Sequence, residues 1–171
     1  MAKKFGGLML WLGIAAIVVL LDQLTKITMS RLLVYGQSET ITPYFNLVMV
    51  YNQGAAFSFL ANSGGWQRWF FIAVSVLVVG AVSFVCLTRQ AEPLDRWVGA
   101  FVAGGGGGNL IDRLQTGAVV DFLDFHWRNI HWPAFNLADV FIVCSMLVGC
   151  FASMRAPPRP STRETPGERP S

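Results

Sequence analysis

Four stretches without a charged residue set the limits on how this chain folds: residues 5–21, 69–88, 97–111 and 140–154. A helix that crosses a bilayer needs about 20 mostly apolar residues, within a range of roughly 17–25. Only the second run meets that length comfortably on its own. The others meet it where their helices continue into polar residues at one end, which puts ionisable groups at helix ends, beside water or beside a partner. The chain is 53% hydrophobic and 13% charged, whereas soluble domains carry about a quarter charged residues. The expected class is a mostly α, polytopic membrane protein with four transmembrane helices. Residues 1–154 form one membrane-embedded domain, and the Pro- and Arg-rich residues 155–171 form a disordered tail.

Lys3 and Lys4 ahead of the first run look like the start of a secretory signal. The apolar stretch exceeds the usual ~7–15 residues, and Leu-Asp-Gln-Leu-Thr-Lys offers no small-x-small cleavage site, so the run is read as a retained helix. Four spans place residues 1–4, 89–96 and 155–171 on one side, with eight Lys/Arg in 29 residues. The other side, residues 22–68 and 112–139, has five in 75. The side dense in cations is cytoplasmic by the positive-inside rule. Both termini are then inside and two long loops face out. The net charge of +3 is spread in a way that suits a membrane rather than nucleic acid.

Residues 41–60 are rich in Val, Tyr, Phe and Thr, punctuated by Pro43 and Gly54, and read as a small outer β-element. Residues 121–136 carry Phe122, Phe125, Trp127, Trp132 and Phe135, an aromatic segment suited to the membrane–water interface. Cys86, Cys144 and Cys150 sit in apolar runs without metal-type spacing and read as small buried hydrophobes.

The candidate chemistry lies where polar groups from distant parts of the chain reach one depth. Asp22 ends the first helix on the outer side, Asp112 and Arg113 end the third, Asp121 follows, and Asp139 opens the fourth. Ionisable groups at membrane depth are candidate functional groups by default. Two close carboxylates in a low-dielectric site share one proton, so one takes a proton from water while the other donates to a carbonyl oxygen. That is hydrolysis without a metal or a covalent intermediate. Asp121 and Asp139 fit this description, but so do two unrelated interfacial carboxylates, one of them capping a helix. Asp124 is a rival partner for Asp121 if the segment is helical, although it reads more simply as solvated. Arg113 is suited to holding a carboxylate or a carbonyl.

Asn52, Asn109 and Asn136 reach the same level, and amides that donate and accept at once suit an extended peptide backbone. Ordinary interhelical bonding accounts for them equally well. The five glycines at 104–108 lack the strand and the following Lys of a phosphate loop, so they read as a close helix contact. His126 and His131 have no metalloprotease spacing and read as solvated imidazoles. Ser58, Ser63 and Ser75 have no base at useful spacing. A small proton-coupled transporter also places aspartates in helices, though usually near the midplane at repeat interfaces. A non-catalytic assembly subunit held by the glycine run needs no paired acids.

At these residues the chain resembles the lipoprotein signal peptidases, or signal peptidase II. The matching stretches are Asp22-Gln-Leu-Thr-Lys26, Asn52-Gln-Gly-Ala-Ala-Phe57, Gly104-Gly105 through Gly108-Asn109-Leu-Ile-Asp112-Arg113, Val119-Val-Asp121-Phe122 and Phe135-Asn136-Leu-Ala-Asp139. They recur in the family's order across most of residues 20–145. The resemblance implies an inner-membrane aspartyl endopeptidase without a metal or other cofactor. Its partners are membrane lipids and a prolipoprotein, cleaved just before a cysteine that carries diacylglycerol. It implies Asp121 and Asp139 as the catalytic pair, and Asn52, Asn109, Arg113, Asn136 and Asp22 as polar positions around the substrate. Asp124 falls on no motif position. One departure is visible: Gly106 and Gly107 stand where the family usually has Ala and a bulkier apolar residue.

Overall fold

The computed structural model describes residues 2–54, 65–88 and 92–155, with side chains from residue 6 onward. The expectations for residues 55–57 of the Asn52 stretch, for Ser58 and Ser63, and for the tail after residue 155 lie outside the described residues. Among the described residues four helices carry the fold: α1 (Ala2–Leu32), α2 (Trp66–Thr88), α3 (Pro93–Gln115) and α4 (Leu137–Arg155). Between α1 and α2 lie strands β1 (Ser38–Thr42) and β2 (Phe45–Asn52). Between α3 and α4 lie β3 (Val119–Trp127) and β4 (Ile130–His131).

Three helices, α1 from Gly6, α2 and α4, are long and apolar enough to cross a membrane. In α1 the apolar residues face outward: Leu10, Ile17, Leu20 and Leu24 are all more than half exposed. Trp11, Val18, Asp22 and Lys26 are buried and recur at spacings of seven and four, a single inward stripe. This inverts the pattern of a soluble helix, because lipid accepts the apolar face and the polar groups must find partners inside.

The third helix is central and packs against the other three. Its glycines explain how. A Cβ on Gly104 would lie 2.7–2.9 Å from Val18 and the Ala15 carbonyl of α1. One on Gly105 would lie 2.6 Å from the Ala138 carbonyl and 2.8 Å from Ile142 of α4. One on Gly106 would lie 2.8 Å from a methyl of Val79 on α2. Successive residues turn about 100° around the helix, so the run presents bare backbone to α1, α4 and α2 in turn. Gly108 faces the Asp22 carboxylate, while Gly107 meets only Val19, at 3.4 Å.

Gly105 and Gly107 therefore differ. Gly107→Ala is expected to be neutral or to stabilise by up to about 1 kcal/mol, the helix-propensity gain of Ala over Gly. Gly105→Ala is expected to cost about 1–3 kcal/mol, because a backbone carbonyl must move. Thermal unfolding of both variants in one detergent checks this. Unfolding by Gly107→Ala with Gly105→Ala silent would refute the packing.

The strands form one sheet in the order β1-β2-β3-β4, with all described pairings antiparallel. The expected β-element is thus present in β1 and β2. The aromatic segment turns out to be strand too, with Asn52 opposite Val119 and Val50 opposite Asp121. An extra residue in β2 between Leu47 and Val50 shifts the register, and Val48 and Met49 are consecutively buried as at a bulge. After β4 the chain doubles back: Phe122 and Leu123 donate their amides to the Phe135 carbonyl, and Phe135 donates to Leu123. That return brings the start of α4 alongside the start of β3.

Two expectations are corrected. Cys86 is buried, but Cys144 and Cys150 are exposed on α4, because the surface of a membrane helix is as apolar as its core. Asp124 is buried rather than solvated. Side chains alternate along β3, so Asp124 points away from the Asp121 face. There it accepts from the Asn46 amide at 2.8 Å and pairs with His131 at 2.9 Å. His131 also stacks on His126, ring centres 4.9 Å apart.

Candidate active site

A cavity of about 510 Å³ opens where β3, α3 and α4 meet. Asn52, Asn109, Arg113, Asp121 and Asp139 all line it. One wall is apolar, from Trp132 to Phe135 and down α4 from Val140 to Cys144.

The beginning of α4 positions Asp139. Asn136 precedes the helix and its side-chain oxygen accepts the Asp139 amide at 3.1 Å. The Asp139 carboxylate accepts the Asn136 amide in return, at 3.4 Å. This is a capping box built from Asn-Leu-Ala-Asp, which satisfies two backbone donors that the helix leaves open. A third, the Ala138 amide, donates to Asp22 at 2.9 Å.

Asn136 does a second job. Its NH₂ donates to Asp121 at 2.7 Å and to the Asn109 oxygen at 3.1 Å. Asn52 donates to the other Asp121 oxygen at 3.0 Å, and Asn109 donates to Asp139 at 2.8 Å. Each aspartate is therefore held by amide donors that leave room on the cavity side. Asp121 is only 2% exposed. Burial and then the neighbouring Asp139 charge push its carboxyl up to about 7, against the lowering effect of the two amides. The Asp121 carboxyl thus still binds a proton in part near neutral pH.

Beneath the cavity lies a cationic brace. Lys26 reaches Asp22 and Asp112 at 2.7 Å each and donates to the Asn109 oxygen at 2.8 Å. An ammonium only donates, so it fixes which end of the Asn109 amide faces inward and turns the NH₂ toward Asp139. Asp112 also accepts from Gln23 at 2.9 Å and from the Val120 amide at 3.2 Å, tying α1, α3 and β3 together one residue from Asp121. Arg113 lines the cavity, donates to the Gly54 carbonyl at 3.4 Å and lies 5.2 Å over the Phe71 ring. Arg68 holds the end of α3 through the Arg113 and Leu114 carbonyls.

The seven sequence candidates therefore converge on one place but not in one layer. Five line the cavity. Asn136 and Asp22 are fully buried behind it, Asn136 touching Asp121 directly and Asp22 acting on the first turn of α4. Lys26 and Gln23 were not among the candidates. The signal was Asp22-x-x-x-Lys26, an i,i+4 ion pair at the end of an apolar helix.

A sequence profile described as "Signal peptidase (SPase) II" matches residues 14–155. The chain belongs to the signal peptidase II family. Among its relatives, the lipoprotein signal peptidase of Paraburkholderia phymatum is 49% identical over 156 residues, covering 91% of this chain and 94% of the relative. That of Janthinobacterium sp. (strain Marseille) is 49% identical, covering 85% and 88%. A solved bacterial membrane enzyme superposes with a TM-score of 0.75 at 25% identity, over 94% of each chain. A second has a TM-score of 0.73 at 27% identity, over 86% of this chain and 94% of that one. The chain is thus a membrane peptidase of this family, and the transporter and assembly-subunit readings fall.

Proposed function

We propose that this chain removes the signal peptide of diacylglyceryl-modified prolipoproteins by aspartate-activated water. The observation that carries the reading is the meeting of Asp121 and Asp139 in one cavity, with the Asp121 carboxyl raised to about 7. Asp121 holds the proton at rest and Asp139 is the base. Water attacks the scissile carbonyl carbon while its proton passes to Asp139 and the Asp121 proton passes to the carbonyl oxygen. The tetrahedral diol collapses, the C–N bond breaks, and the leaving cysteine amine takes a proton from Asp139. A diol proton returns to Asp121.

Asn52, Asn109 and Arg113 hold the extended substrate backbone, while Asn136 and Asp22 position the acids. The apolar wall of α4, from Val140 to Cys144, faces the lipid side of the substrate. Three apolar helices and the 23-residue α3, about 34 Å long at 1.5 Å per residue, are read as four spans. The single domain is residues 1–154. The excess of Lys and Arg on one side supports a reading with both termini in the cytoplasm and the cavity at the outer face of a bacterial inner membrane. The sheet lies over that face and restricts water.

The test is cleavage of a synthetic precursor peptide carrying diacylglyceryl-cysteine, followed against pH. Since Asp121 must be protonated, kcat/KM is expected to fall about tenfold per unit as pH rises beyond that carboxyl's value of about 7. The Asn52 amide stabilises the carboxylate and lowers that value. Asn52→Ala should therefore move the alkaline limb to higher pH while lowering the maximum. No cleavage at any pH, or a flat profile between pH 6 and 9, would count against the reading.

A further inference from the structure

The other ends of α1 and α3 enclose a second cavity of about 110 Å³, lined by Gly7, Leu10, Trp11, Pro93, Arg96 and Trp97 among others. At 1.5 Å per residue, Arg96 stands about 24 Å along α3 from Asp112, and Gly7 about 22 Å along α1 from Asp22. This cavity therefore lies toward the membrane face opposite the peptidase site.

The guanidinium of Arg96 is wedged between the two helices. A Cβ on Gly7 would sit 2.8 Å from its Nη1, so glycine is what lets the cation lie against α1. Its Nε is buried without a hydrogen-bond partner. Among the described residues it forms no ion pair, although Asp95 is on its own helix and Glu92 just precedes it. Both of those carboxylates are on exposed residues. Arg keeps its charge in any surroundings, and a buried donor without an acceptor is costly. The arrangement calls for an anion with oxygens spaced for a planar fork, the geometry of a phosphate.

Two of its lining residues face outward. Leu10 is 54% and Trp97 44% exposed, on helix faces that meet lipid, and a tryptophan at this level suits the headgroup region. Trp11, packed with Cys86, Ala100 and Ala103, closes the inner side.

We propose that this cavity binds the phosphate of an anionic phospholipid from the leaflet opposite the peptidase site, with the acyl chains running past Leu10 and Trp97. The inference rests on the reading that α3 crosses the membrane, and it is independent of the aspartate chemistry. The lipid ties the first turns of α1 and α3 together.

The test uses the full chain in a phosphate-free maltoside detergent. Dihexanoyl-phosphatidylglycerol is added, with inorganic phosphate and dihexanoylglycerol in parallel, and binding is read by native mass spectrometry and by the thermal midpoint. Phosphatidylglycerol is expected to bind wild type and to bind Arg96→Gln about tenfold more weakly. Arg96→Lys should fall between, because it keeps the charge and loses the fork. Arg155→Gln, which alters a cation stacked on Phe151, should bind as wild type. Peptide cleavage by Arg96→Gln should be unchanged, which separates loss of the lipid from loss of the fold. If that variant does not fold, Gly7→Ala, which displaces the guanidinium, should show the same weakening. Equal binding of the lipid to wild type and Arg96→Gln would overturn the proposal. So would equal binding of dihexanoylglycerol, which lacks the phosphate, or stabilisation by inorganic phosphate as large as that by the lipid.

Discussion

Asp121→Asn and Asp139→Asn are each expected to lower turnover of a lipidated precursor by at least about 10²–10⁴-fold, the usual contribution of a positioned acid or base. The amide keeps the size of the carboxyl but exchanges no proton at neutral pH. The two losses should not add. Acid and base act as one unit, so the double variant should be about as inactive as either single one. Folding should survive. Asp121 sits among amide donors from Asn52 and Asn136, and Asp139 among those from Asn109 and the α4 start. An Asn can present its oxygen to one such donor in each case. Asp124→Asn is the control. Asp124 is buried like Asp121, but on the opposite face of β3 against Asn46 and His131. Its effect on turnover should stay within about tenfold, since it touches no group in the cavity. Activity, thermal midpoint and membrane insertion measured on the four variants check this. Near-normal turnover in either single variant would end the dyad reading, and a collapse with Asp124→Asn alone would put the acid on the wrong face of the strand.

Helix positions were legible because lipid imposes long uncharged runs, and the polar residues that interrupt them marked the site. Residues 119–127 were harder. Val-Val-Asp-Phe-Leu-Asp-Phe-His-Trp alternates poorly because Val119 to Phe122 are buried on both faces of the sheet, and a strand covered on both sides has no polar phase to read. The aromatic content was visible and the pairing with β2 was not. Asp124 was read as solvated because a lone carboxylate in a loop usually is. Its partner Asn46 is distant in sequence and meets it only through the register of β2 on β3, and His131 reaches it by the turn back of β4 along β3. The convergence of Asp121 and Asp139 depends on the reversal after β4 and on the Phe135 bonds back to Phe122 and Leu123, neither of which leaves a periodic signal. Conversely, spacing alone is a poor guide to layers. Asp22 lies at the right depth, yet its carboxylate faces Lys26 and the Ala138 amide rather than the cavity.

Lys26→Met is expected to destabilise the protein by about 3–5 kcal/mol, the cost of removing one partner from a buried ion pair. Lys26 is 2% exposed and stands between Asp22 at 0% and Asp112 at 4%. Methionine fills a similar volume, so packing is roughly kept and the loss is electrostatic. Two buried carboxylates would be left facing each other without a cation between them. Lys26→Arg should rescue only in part, because a planar fork does not reach Asp22, Asp112 and the Asn109 oxygen from a single point as an ammonium does. The effect should extend to catalysis. Without Lys26, the Asn109 oxygen keeps only the Asn136 donor, so its NH₂ is held less firmly toward Asp139. In the fraction that stays folded, kcat should fall more than KM rises, since the lysine acts on Asp139 through Asn109. Adding Asp112→Asn to Lys26→Met removes one of the stranded charges and should recover part of the stability, while leaving kcat low. Thermal unfolding and steady-state cleavage of wild type, the two single variants and the double variant form the cycle. A Lys26→Met protein within about 0.5 kcal/mol of wild type, or one with unaltered kcat, would mean that the lysine neither braces the bundle nor orients Asn109.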